Sequence, residues 1–176
     1  MNAYLVISAL GEDQTGIVNA LSKTIMEHQC NIDDSRMSVL GGEFAIILLV
    51  SGNKENILQL EELTPELQNK LGLTIICRRT QEQEHTKNRL PYNVTAVSID
   101  HPGIVQQIAD YFSSRNINIE SLTTDTYPAA HTGTPMFRIS MLVYIAADSG
   151  IITLRDEFIN FCEDMNIDAT LEASTR

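Results

Sequence analysis

The chain has 176 residues, 43% hydrophobic and 20% charged, with a formal net charge of −11. Residues 1–86 hold 6 Lys/Arg against 12 Asp/Glu and residues 87–176 hold 6 against 11, so both halves are acidic. Nucleic-acid binders draw most of their affinity from a concentrated basic surface, which neither half supplies, and no apolar run reaches the ~20 residues of a membrane helix.

Tyr4–Leu10 is a short apolar run and reads as a buried strand, followed by a polar loop at Gly11–Thr15. From Gly16 the period changes. Ile17, Leu21 and Ile25 recur at i, i+4 and i+8, one face of an amphipathic helix ending near Gln29. Asp34–Leu40 and Glu43–Ser51 are predicted strands joined by Gly41-Gly42, a two-residue hairpin signal. Asn53–Leu71 is helical in pattern but must break at Pro65, with Thr64 as the expected cap of the second piece. Leu73–Thr80 closes the unit as a strand. The order β-α-β-β-α-β is the ferredoxin-like motif, an α+β fold with an antiparallel sheet.

The same order then recurs. Tyr92–Ile99 is strand, Gly103–Ser114 helix, Ile119–Thr126 and Met136–Ile145 a hairpin, Ile151–Met165 helix and Ile167–Ala173 strand. At an ungapped offset of 87, Ala9, Asp13, Gly16, Ile17, Val18, Asn31 and Ile32 reappear as Ala96, Asp100, Gly103, Ile104, Val105, Asn118 and Ile119. One unit is therefore written twice, as modules at 1–80 and 91–176 joined by a polar linker at 81–90. Matching Phe44 to Phe137 needs an offset of 93, so the second hairpin carries about six extra residues, within Tyr127–Pro135. Such an elongated loop is often where a ligand or partner is covered.

The repeated Asp-x-x-Gly-Ile-Val element lies between the first strand and first helix of each module. A helix N-terminus there offers unpaired N–H groups and the positive end of the dipole, suited to a carboxylate. Gly16 and Gly103 permit a tight turn and close approach to the backbone at Ile17 and Ile104. Asp13 and Asp100 can accept from loop amides or from a ligand ammonium, and Asn31 and Asn118 can add an amide donor and acceptor. His101 sits inside the second loop. Each of these side chains also has a purely structural reading, as loop cap, turn former or solvated group.

The strand, the D-x-x-G-I-V turn, the amphipathic helix, the Asn-Ile steps at Asn31-Ile32 and Asn118-Ile119 and the following hairpin together resemble the ACT domain. Asp100-His-Pro-Gly-Ile is near the common form of its motif, whereas Asp13-Gln-Thr-Gly-Ile lacks the proline. The resemblance implies a non-enzymatic module that binds a small amino acid at Asp13, Gly16, Ile17 and Asn31 and at Asp100, His101, Gly103, Ile104 and Asn118. Stand-alone tandem members imply more: repression of transcription without direct nucleic-acid contact, through a DNA-bound activator of LysR type, with glycine as the relieving ligand. A homodimer is compatible with this. A second reading is a regulatory subunit giving amino-acid feedback on a metabolic enzyme.

Enzymatic readings have little in the residues. Neither Gly11–Ile17 nor Ile99–Ile104 contains the arginine that phosphate chemistry in such a loop would want. His28-Gln-Cys30 is the only local His–Cys pairing, and a helix end explains it. His28, His85, His101 and His131 show no metal-ligand spacing, so neither a metal nor another cofactor is expected. Cys30, Cys77 and Cys162 form no C-x-x-C and no signal peptide is evident, which points to a reduced, cytoplasmic protein with no membrane association.

Overall fold

A computed structural model describes residues 2–81 and 88–174. The chain divides into two compact units, Met1–Glu84 and His85–Arg176; the proposed linker at 81–90 lies mostly outside the described residues, as do His85 and Lys87. The first unit runs β1 (Ala3–Glu12), α1 (Ile17–Glu27), β2 (Asn31–Leu40), β3 (Glu43–Gly52), α2 (Lys54–Glu62), α3 (Thr64–Leu71) and β4 (Thr74–Thr80). The second runs β5 (Arg89–Ile99), α4 (Ile104–Ser113), β6 (Ile119–Pro128), β7 (Pro135–Ala146), α5 (Ile151–Asp164) and β8 (Asp168–Ala173). The sheets are antiparallel, ordered β2-β3-β1-β4 and β6-β7-β5-β8. Each unit is thus a ferredoxin-like βαββαβ module, as the sequence period requires.

Alternation sets which face of each sheet is covered. In β1, Leu5, Ile7 and Ala9 are buried, and in β3 so are Phe44, Ile46, Leu48 and Val50. They meet Ile17, Leu21 and Ile25 of α1 and Ile57 and Leu60 of α2. The second core is more aromatic: Tyr111, Phe112 and Phe158 pack with ring centroids 5.1–5.4 Å apart. Full burial of one such ring contributes about 2–3 kcal/mol. Tyr111 donates its hydroxyl to the Leu154 carbonyl at 3.3 Å and Arg155 donates Nε–H to the Leu171 carbonyl at 2.8 Å, so α4 is tied to α5 and α5 to β8.

Three local expectations need adjustment. β2 begins at Asn31 rather than Asp34, because a bulge between Ile32 and Asp34 interrupts the alternation that marks a strand. An equivalent bulge falls between Ile119 and Ser121. Asn53–Leu71 does break near Pro65, but Thr64 is no cap: it is the first residue of α3, with no side-chain capping bond there. Its hydroxyl instead donates to Leu60 O at 3.4 Å and lies 3.1 Å from Cys77 Sγ. Finally, the second hairpin stays paired as far as Pro128 opposite Pro135, so β6 and β7 extend past the predicted Thr126 and Met136, and only 129–134 form its tip.

Candidate functional site

The Asp-x-x-Gly turn has the same backbone in both modules. Gly16 and Gly103 are the N-caps of α1 and α4, at φ 99° and 101°. A side chain at either would meet nothing within 4 Å, so glycine is required by the left-handed conformation and the space outside the turn is open. Neither helix start has a side-chain cap or an acidic residue in its first turn. The first-turn N–H groups and the positive end of the helix dipole are therefore offered outward at both positions. Ile17 and Ile104 are 4% and 2% exposed, so their side chains belong to the cores and only their backbones can serve a ligand.

Each turn is pinned to its hairpin. Asp13 N–H donates to Gly42 O at 3.0 Å, and Asp100 N–H donates to Pro135 O at 3.0 Å. In the first module that hairpin end is the tight Gly41-Gly42 turn; in the second it is the base of the elongated tip. Beside the second turn lies an open depression of about 490 Å³, lined by His101, Pro102, Gly103, Ile104, Val105 and Phe137 among others. His101 Nδ1–H donates to Pro102 O at 3.2 Å, which leaves Nε2 as the atom available to a ligand. The Asp13 and Asp100 side chains are exposed.

The two asparagines lie elsewhere. Asn31 pairs with Ser51 near the far end of β3, whereas Asp13 bonds to Gly42, just before Glu43 at its start. Eight residues of strand between Glu43 and Ser51 span roughly 26 Å. Asn31 Nδ2–H donates to Asp33 Oδ1 at 2.7 Å, and Ser51 Oγ–H donates to the same oxygen at 3.0 Å. Asn118 precedes Ile119, which pairs with Val143, similarly far along β7 from Pro135. It lines a second depression of about 390 Å³ with Gln106, Ala109, Asp110, Ser113 and Ile119. Gln106 and Ala109 border both concavities, which thus run together along the exposed side of α4. A free amino acid is far shorter than this run, so within one module it cannot touch the turn and the asparagine together. Asp13, Gly16 and Ile17 are brought together, as are Asp100, His101, Gly103 and Ile104; Asn31 and Asn118 are not. In the first module the bulge hid this, since with β2 starting at Asp34 Asn31 reads as a loop residue; Asn118 does precede its strand, but at the end of the module remote from Asp100.

Thiol chemistry has no base to work with. His28 Nδ1 is bonded to Thr24 O at 2.8 Å, and Cys30 donates its thiol weakly to His28 O at 3.5 Å, so the pair forms no His–Cys dyad. Burial raises the Cys30 and Cys77 pKa values and pushes Cys162 up to about 12. Each thiol is thereby kept protonated, the opposite of an activated nucleophile. Among the described residues no group of three or more His, Cys, Asp or Glu side chains is arranged to hold a metal ion. Nor is any described helix long and apolar enough to cross a membrane.

The family model of the ACT domain matches residues 3–78. Over the whole length, a crystal structure of a protein assigned as a glycine cleavage system transcriptional repressor superimposes with a TM-score of 0.76 at 26% identity, covering 100% of this chain and 99% of that one. The chain is a tandem ACT-domain protein. Among its relatives is the glycine cleavage system transcriptional repressor of Escherichia coli (strain K12), 29% identical over 168 residues, which are 96% of this tandem ACT chain and 88% of the relative. A crystal structure of an unknown protein from Galdieria sulphuraria superimposes with a TM-score of 0.78 at 27% identity, over 99% of this chain and 100% of that one. The tandem ACT protein thus resembles repressors rather than enzymes, at moderate identity and with high structural similarity.

Proposed function

We propose that this tandem ACT-domain protein is a non-enzymatic, cytoplasmic regulator that senses a small amino acid, glycine foremost, and represses transcription of the glycine cleavage system through a protein contact. The observation that carries the reading is the pair of uncapped, glycine-led helix starts, each bonded to its own hairpin and open to solvent. A ligand carboxylate rests on the N–H groups at Gly103, Ile104 and Val105, or at Gly16, Ile17 and Val18. Its ammonium faces Asp100 or Asp13, and His101 Nε2 adds an acceptor in the second module. Asn31 and Asn118 stand outside that seat. The second turn is the favoured one because the depression and the long hairpin flank it.

The balance of −11 supports action without DNA contact, since phosphate binding would need a basic stripe. The partner is then a DNA-bound activator of LysR type, a reading supported by the likeness to a transcriptional repressor. Isothermal calorimetry with a panel of amino acids tests the sensor. Glycine or a close analogue is expected to bind at micromolar to submillimolar levels. If none of the panel binds below millimolar concentration, the sensor reading fails. Capturing a biosynthetic enzyme instead of a transcription factor from extract would favour the feedback-subunit reading.

A further inference from the structure

We propose that this chain closes three of its four sheet edges with its own side chains, at Ser35 of β2, Ile75 of β4 and Leu171 of β8, so that a further strand is kept from adding there. An edge strand carries unpaired N–H and C=O groups on every second residue, and such a row is a template for another chain. Which residues turn outward follows from the bonds that pin the two turns. The Asp13 N–H bond to Gly42 O sets the alternation of β1, so Ile7 and Ala9 direct their backbone groups to Leu48 and Ile46 of β3. Ser35 lies opposite Leu48 and Ile75 opposite Ala9, so the backbone groups of both point out of the sheet. In the second module the Asp100 N–H bond to Pro135 O turns Val94 toward Met141 in the same way. Leu171, opposite Val94, therefore points outward.

Each of these outward residues is met by a side chain of its own module. Ser35 N–H donates to Asp34 Oδ1 at 2.8 Å, and Arg36 donates to Ser35 O at 2.8 Å while also bonding the Asp34 carboxylate. Ile75 N–H donates to Gln68 Oε1 at 2.8 Å, and Arg155 Nε–H donates to Leu171 O at 2.8 Å. The closure of β4 is part of a seam. Glu61 of α2 pairs with Arg79 at 2.7 Å, Thr64 lies 3.1 Å from Cys77 Sγ, and Gln68 of α3 takes Ile75. Three or four residues of helix climb about 4.5–6 Å and two residues of strand about 6.6 Å, so the helices keep pace with every second residue of β4. The break before Pro65 restarts the helix at Thr64, the middle contact of that seam.

The edge of β6 serves as an internal control. Leu122, opposite Met141, is the counterpart of Ser35, but its neighbours are Ser121 and Thr123 where β2 has Asp34 and Arg36. Among the described residues no side chain bonds the Leu122 backbone. Strand order is equivalent in the two sheets, so the closure at Ser35 belongs to Asp34 and Arg36 and not to the architecture. An adding strand must first displace these side chains, which makes the three edges closed borders instead of templates.

Sedimentation velocity of the full chain at about 100 μM, run beside amide hydrogen exchange, tests the proposal. Combining Asp34→Ala, Arg36→Ala, Gln68→Ala and Arg155→Ala should raise the weight-average mass about twofold or more over the wild type. In Gln68→Ala alone, the Ile75 amide should exchange about tenfold faster. Gln68→Glu keeps an acceptor and Arg155→Lys keeps a donor, so both should sediment as the wild type does. Asp34 and Arg36 are exposed and lie outside both cores. Their double alanine variant should itself gain mass, and it decides the matter if the fuller combination unfolds early. Variants that sediment as the wild type, mass gained only by chains that circular dichroism shows unfolded, or Glu and Lys replacements that associate as strongly as alanine would each overturn the inference.

Discussion

The backbone N–H of Asp100 donates to the carbonyl of Pro135, and that single bond places the elongated β6-β7 hairpin beside the turn that opens α4. Asp13 makes the equivalent bond to Gly42, where the hairpin is a two-residue turn. The two modules therefore hold their turns in the same way and differ in what stands next to them.

The tip at 129–134 can be removed to read that difference. Its own bonds, Ala129 N–H to Thr134 O at 2.8 Å and Gly133 N–H to Ala129 O at 2.9 Å, are internal. Replacing those residues by Gly-Gly should leave the circular dichroism spectrum unchanged and weaken amino-acid binding about tenfold. Unchanged affinity by calorimetry would remove the hairpin from the site.

Gly103→Ala and Gly16→Ala test the turns themselves. Each change forces an L-residue to φ near 100° with no steric neighbour to blame, so each should cost about 1–2 kcal/mol in urea denaturation. If the second turn is the better seat, Gly103→Ala reduces ligand affinity more than Gly16→Ala does.

Gly52 and Cys30 should behave as a coupled pair. A Cβ at Gly52 would stand 2.7 Å from Cys30 Sγ, too close for any real contact, while Ile57 Cδ1 at 3.6 Å is an ordinary neighbour. Gly52→Ala should destabilise the first module by about 1–3 kcal/mol. Adding Cys30→Ala should recover most of that loss. A double-mutant cycle in denaturant that shows simple additivity would contradict the geometry.

Alkaline stability should report on Cys162. It is fully buried at the end of α5, with its pKa raised to about 12 by burial. In the unfolded chain a thiol titrates near 8.5. Between those values the unfolded state has lost a proton that the folded state keeps, so unfolding becomes easier as pH rises. The contribution is fully present below about pH 8.5 and is lost as pH climbs toward 12. Cys162→Ala should flatten this part of the stability profile measured by denaturation between pH 8 and 11. Ellman's reagent should leave Cys162 unlabelled until the module unfolds.

Much of this protein can be read from one sequence because its information is periodic. Short apolar runs at Tyr4–Leu10 and Phe44–Val50, and apolar residues at i, i+4 and i+8 from Ile17, specify the elements; the recurrence of the same order from Tyr92 onward specifies the duplication. The glycine-led turns were legible for the same reason, since Asp-x-x-Gly-Ile-Val is local and a left-handed N-cap is a local conformation.

What depended on register was hidden. The bulge after Ile32 moves the start of β2 back to Asn31, and the length of β3 then carries that asparagine roughly 26 Å from the turn it had been grouped with. Thr64 turned to Leu60 and Cys77 rather than capping a helix, because the surrounding fold supplied those partners. The polar character of Gln68 and Arg155 was plain in the sequence, but their reach to the outward backbone of Ile75 and Leu171 was not. Local periodicity determined the elements and their repetition; only the pairing of distant strands decided which residues share a face, an end or a site, because hydrogen-bond register joins positions that the chain itself keeps apart.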